Sequence, residues 1–101
     1  MDPEIPDLIS KADVVVSTAG RDQGTFFYVI LEEQQYLYLV NGKDRPLDKP
    51  KRKKRKHVQK VLRSETRVAV KLISGDKVLN SELRRDLTEF SQKMQSNNLG
   101  G

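Results

Sequence analysis

The residues of this chain best equipped for chemistry are Lys49-Pro50-Lys51-Arg52-Lys53-Lys54-Arg55-Lys56-His57. Six consecutive cations, Lys51 to Lys56, sit in the middle of 101 residues, behind Pro46 and Pro50 and ahead of Val58, Val61 and Leu62. From Lys43 to Arg63 there are eleven Lys/Arg against two Asp, a net +9. The remainder has eight Lys/Arg against twelve Asp/Glu, a net −4, so the overall +5 hides a polarised molecule. Such a block attracts a polyanion, and a phosphate backbone is the commonest one. Pro50 disfavours helix, so the run is expected to be extended, sending alternate cations to the two sides of a groove. A solvated tail or a nuclear-localisation peptide has the same composition. This run is internal, however, and follows what reads as a compact β domain.

Other chemistries lack their residues. There is one histidine and no cysteine, and the sequence shows no Ser-His-Asp set, no cluster of metal ligands, no GxGxxG and no P-loop. No catalytic residue, metal or cofactor is therefore expected, and no small-molecule substrate. The lack of cysteine rules out disulfides and fits a reducing compartment. No apolar run approaches the roughly 18 residues of a membrane span, and the start of the chain lacks a signal-peptide layout. A soluble, cytoplasmic protein is the expectation.

The elements that must hold the basic run can be read in order. Apolar residues make up 36% of the chain and charged ones 33%, which allows one domain with a modest core. Residues 1–12 read as an N-terminal arm that packs Ile5, Leu8 and Ile9 down. Asp13 to Thr18 is a β-branched run, and Gly20-Arg21-Asp22-Gln23-Gly24 is turn chemistry, with Gly20 and Gly24 suited to positive φ. Thr25 to Leu31 and Tyr36 to Val40 are two more strands, separated by Glu32-Glu33-Gln34-Gln35. Asn41-Gly42 is a strong hairpin signal, which places a partner strand over Lys43 to Leu47. Short strands at this spacing suggest a small antiparallel barrel. Its core would hold Val14, Val16, Phe27, Val29, Leu31, Leu37 and Leu39, or the opposite phase, because both parities are apolar. His57 to Leu62 reads as a further strand. Arg67 to Ile73 fits either strand or helix and leans to helix, with Ser74-Gly75 as a stop. Asn80-Ser81 would cap a helix from about Glu82 to Met94 with Leu83, Leu87, Phe90 and Met94 on one stripe. A frayed tail would follow from Gln95.

The segment Ala12 to Leu31 resembles a KOW motif: a strand, a glycine-bearing turn and a second strand. Gly24 stands in the place of the motif's glycine, and Gly20-Arg21-Asp22 matches the loop after its first strand. The continuation from Val40-Asn41-Gly42-Lys43-Asp44-Arg45-Pro46-Leu47 into Lys49 to His57 is similar to KOW-type large-subunit ribosomal proteins of archaea and eukaryotes and their short bacterial relatives. The likeness spans Asp13 to His57, a little under half of the chain. Asn41 stands where such proteins often have an acid, and it keeps the turn chemistry. The resemblance implies a mainly β fold, a small SH3-like antiparallel barrel over 13–63 with a basic arm at 43–57. A C-terminal α-helical appendage over 64–101 would follow. It also implies non-catalytic binding of RNA, namely ribosomal RNA or the large ribosomal subunit.

In such a barrel the loops at one end form the contact surface. Arg21 could grip a phosphate in bidentate fashion, with glycine N–H groups alongside and Asp22 orienting the turn. Lys43 and Arg45 flank the Asn41-Gly42 turn, and Lys49 with Lys51 to Lys56 would follow the backbone, His57 standing beside them. Tyr28, Tyr36, Tyr38 and Phe26 are the residues able to stack on bases. The competing reading is a protein-interaction adaptor, in which the Leu83/Leu87/Phe90/Met94 stripe docks a partner and the basic run serves targeting or solubility.

Overall fold

The structure, a computed structural model, describes residues 8–100, with side chains described over 8–95. The expected packing of Ile5 lies outside the described residues. Five strands form one antiparallel sheet: β1 (Asp13–Ser17), β2 (Phe26–Glu32), β3 (Tyr36–Val40), β4 (Lys51–Lys54) and β5 (Val58–Arg63). Their order is β4-β3-β2-β1-β5. The two edge strands are neighbours in the chain, joined by a single 3-10 turn, Arg55–His57. Two helices follow, α1 (Arg67–Ser74) and α2 (Asn80–Gly100).

Both parities of the strands are apolar because both faces of the sheet are covered. Val15, Phe27, Val29, Leu37 and Leu39 cluster on the inner face with Ile9 and Val58. Val14, Tyr28 and Val40 face the other way and pack under Val68, Ala69 and Leu72 of α1 and Leu83 and Leu87 of α2. Two of the expected core residues lie elsewhere. Val16 is half-buried, and Leu31 is 50% exposed. The register slips between Val29 and Leu31, so Leu31 turns to the outer face opposite Tyr38 and the alternation breaks there.

The strand expected over Lys43 to Leu47 does not form. Asn41 Oδ1 instead accepts hydrogen bonds from the Lys43 and Arg45 N–H groups, at 2.9 Å each, and winds 41–45 into a compact loop. The partner of β3 is β4, the basic run itself, in the register Tyr36↔Lys54 to Leu39↔Lys51. The ambiguous segment is a helix, as the lean from the sequence has it. Thr66 Oγ1 caps Ala69 N–H, and Gly75 closes the far end at φ 81°. In α2 the expected cap is displaced by one residue. Glu82 reaches back to the Leu79 N–H at 2.9 Å, while Asn80 Oδ1 accepts from the Leu47 N–H at 2.9 Å and so binds the 41–47 loop to the helix. The helix continues to Gly100 rather than fraying from Gln95.

One buried polar network ties the helices to the sheet. Tyr28 Oη donates to Asp86 Oδ2 at 2.8 Å and lies 2.8 Å from Ser64 Oγ, and Thr66 Oγ1 donates to the same carboxylate at 2.6 Å. Burial first, then Asp86, push the phenol up to about 12 against the opposing pull of Ser64 and Thr66. Tyr28→Phe is expected to destabilise the fold by about 1–2 kcal/mol, measured by urea unfolding. The folded pKa is raised, so the stabilisation is complete below the unfolded value near 10 and fades as pH rises through about 12. The variant should lack that alkaline loss.

Candidate nucleic-acid interface

Four cations in a row are poor strand formers, yet Lys51–Lys54 is a strand because β3 offers it an edge. The pleat then separates the side chains. Arg52 and Lys54 point outward, whereas Lys53 is buried at 8% exposure. Its Nζ donates to Asp22 Oδ1 at 2.7 Å and to the Ala19 carbonyl at 2.8 Å. Ser17 Oγ donates to the same Asp22 oxygen at 2.7 Å, and Lys51 lies 3.6 Å from the other. Burial alone would raise the Asp22 carboxyl. The Lys53 and Ser17 hydrogen bonds and the charges of Lys53 and Lys51 outweigh it and hold the group below its ordinary value. Asp22 therefore orients the turn, fastening residues 20–24 to β4.

Arg55 also serves the fold. It donates to the carbonyls of Glu33 and Ile9 at 3.0 and 3.1 Å and pairs with Glu32 at 3.7 Å. Lys53 and Arg55 are thus engaged by the protein itself, whereas the sequence reading directs the whole run to a ligand. His57 is half-buried, and its carbonyl accepts from the Thr18 N–H at 2.9 Å.

The other cations remain at the surface, in three places. Arg21, Arg45 and Lys51 converge with Asp22 and Asp44 around a cavity of about 270 Å³ at the start of β4. Gly20 and Gly24 shape the turn behind it, at φ 86° and 88°. At the far end of β4, about 10 Å away along the strand, Lys54 and Lys56 border a recess of about 390 Å³ with Gln34, Gln35 and Arg55. Lys43 borders a third groove, of about 400 Å³, opposite Arg84, Thr88 and Ser91 of α2. Lys49 is exposed between them in the chain. Arg84 donates to the Gly42 carbonyl at 2.7 Å, so α2 fixes the loop that carries Lys43 and Arg45.

Sequence reasoning missed the division of labour between neighbouring lysines, because the partner that claims Lys53 is 31 residues away. Among the described residues no three His, Asp or Glu side chains group as metal ligands, and no helix is long and apolar enough to cross a membrane. No family model matches the chain, and no curated protein matches it.

Of the stacking candidates, Tyr28 is fully buried and Phe26 is packed against the helix-side core. Tyr36 and Tyr38 are half-buried on the outer face of β3. The Arg52 guanidinium lies over the Tyr36 ring, 3.7 Å from its centroid.

Proposed function

We propose that this chain is a non-catalytic, cytoplasmic RNA-binding protein of the KOW kind, directed at ribosomal RNA or the large ribosomal subunit. The observation that carries the reading is the set of cations left at the surface after the fold has claimed its own. Arg21, Lys43, Lys49, Arg52, Lys54 and Lys56 are all exposed, and Arg45 and Lys51 border an open cavity. An SH3-like barrel is the architecture that suits the strand order, because β4 and β5 are the sheet's two edges and one short turn connects them. Phosphate contacts from such a set would position the RNA, leaving discrimination to shape and stacking.

The adaptor reading loses ground. Leu83 and Leu87 are buried in the protein's own core and Phe90 packs against it, which leaves only Met94 of that stripe open, at 40% exposure.

The test is RNA affinity as a function of salt. Replacing Lys49, Lys54 and Lys56 together by Ser should weaken binding to many RNAs alike. It should also flatten the log-log salt slope by about 2 on single strands. Unchanged affinity and slope would refute the reading. Co-sedimentation with large subunits that survives a wash at about 0.5 M salt would point to ribosomal RNA as the target.

A further inference from the structure

The outer face of the sheet is covered unevenly. The helices lie over Val14, Tyr28 and Val40. At the β3–β4 end the described residues leave the same face open, and it presents Leu31, Tyr38, Tyr36, Arg52 and Lys54 in adjacent register positions. Alternation puts these on the side opposite the Leu37–Leu39 core. The Arg52 guanidinium carbon lies over the Tyr36 ring, 3.7 Å from its centroid, and the Arg52 side chain is still 54% exposed. The Gln34–Gln35 recess, bordered by Lys54 and Lys56, adjoins it.

We propose that this open half-face binds unpaired RNA: a base stacks on the guanidinium plane that Tyr36 supports, and Lys54 and Lys56 take the flanking phosphates. The inference rests on the RNA-binding reading and narrows it to single strands. A duplex hides its base faces, whereas an exposed guanidinium over an aromatic ring, beside lysines, offers a π contact and a charge contact together. The recess adds the side-chain amides of Gln34 and Gln35, which can both donate and accept to a base edge. The protein also supplies a competitor for the site. Glu33 lies 3.9 Å from Arg52 Nε and accepts from Tyr38 Oη at 3.3 Å, so a carboxylate stands beside the cation that would meet RNA.

The experiment compares a short oligouridylate with an RNA duplex of equal length at one salt concentration. Arg52→Lys keeps the charge and removes the plane. It should lower affinity for the oligouridylate on the order of tenfold while leaving duplex affinity and the salt slope unchanged. Glu33→Gln should tighten oligouridylate binding several-fold, and both variants are surface changes that leave the core intact. Tyr36→Leu, checked by thermal melting, should reproduce the Arg52→Lys loss. If Arg52→Lys weakens both RNAs equally, or neither, the stacking proposal is overturned while general RNA binding stands. If the wild-type protein binds neither RNA, both readings fall together.

Discussion

Gly42→Ala is expected to lower stability by about 3 kcal/mol or more, roughly 12–24 °C in thermal midpoint. Two costs coincide at this position. Its φ is 76°, a region that side-chain-bearing residues enter at a penalty of about 1–2 kcal/mol. A Cβ there would also run into the Asn80 carbonyl and lie 3.1 Å from Leu83 Cβ. Those atoms belong to the first turn of α2, where Leu83 is fully buried, so relief requires moving the helix off the sheet. Gly24→Ala separates the two costs. Gly24 has a similar φ of 88° but nothing within 4 Å of the added carbon, so it should lose only the conformational part. Equal losses at the two positions, measured by chemical unfolding, would show that the close approach of loop and helix is unimportant. Because the 41–47 loop carries Lys43 and Arg45, Gly42→Ala should also weaken the proposed RNA binding at temperatures where the fold persists.

The second large effect is expected at Asp22. Asp22→Asn leaves the Lys53 ammonium buried with the Ala19 carbonyl as its remaining strong acceptor, a loss on the order of 3 kcal/mol. Adding Lys53→Met should recover much of it, since an apolar side chain of similar shape needs no counter-charge. A double variant no more stable than Asp22→Asn would show that the pair does more than satisfy itself. Acid unfolding gives an independent readout. The Asp22 carboxyl titrates below its ordinary 3.8 in the folded state. Its stabilisation is therefore complete above that value and is lost as pH falls through the lower, folded one. The wild-type protein should lose stability in that window, and Asp22→Asn should show a flatter acid limb.

Much of this fold can be read directly from residue types. The β-branched and aromatic runs locate β1, β2 and β3, and the Ser74-Gly75 stop tilts the reading of the segment after β5 toward the helix that forms, whose Thr66 cap the sequence reading did not use. The errors have definite causes. Asn41-Gly42 suggests a two-residue hairpin, but the Asn41 side chain binds two backbone N–H groups ahead of it, and the chain returns only at Lys51. Pro50 marks the run after it as extended, but nothing local marks Lys51–Lys54 as a paired strand; pairing with Tyr36 to Leu39 overrides the unfavourable propensities. The candidate site is legible as charge and illegible as geometry. Composition locates the cations, but only long-range pairing decides that Lys53 turns inward, that Arg55 is held by two backbone carbonyls and that Arg52 lies over Tyr36.

The position of β4 at the end of the sheet has a consequence for self-assembly. A terminal strand leaves one row of N–H and C=O groups unpaired, a template on which a second copy could add its own strand. The exposed cations Arg52 and Lys54 on that strand oppose such growth, because two copies would have to bring like charges together. Variants that neutralise the run lose this guard as well as the charge, and a polyanion titrated against the protein would remove it in the same way. Turbidity near charge balance, with recovery once polyanion is in excess, is the behaviour this edge dictates.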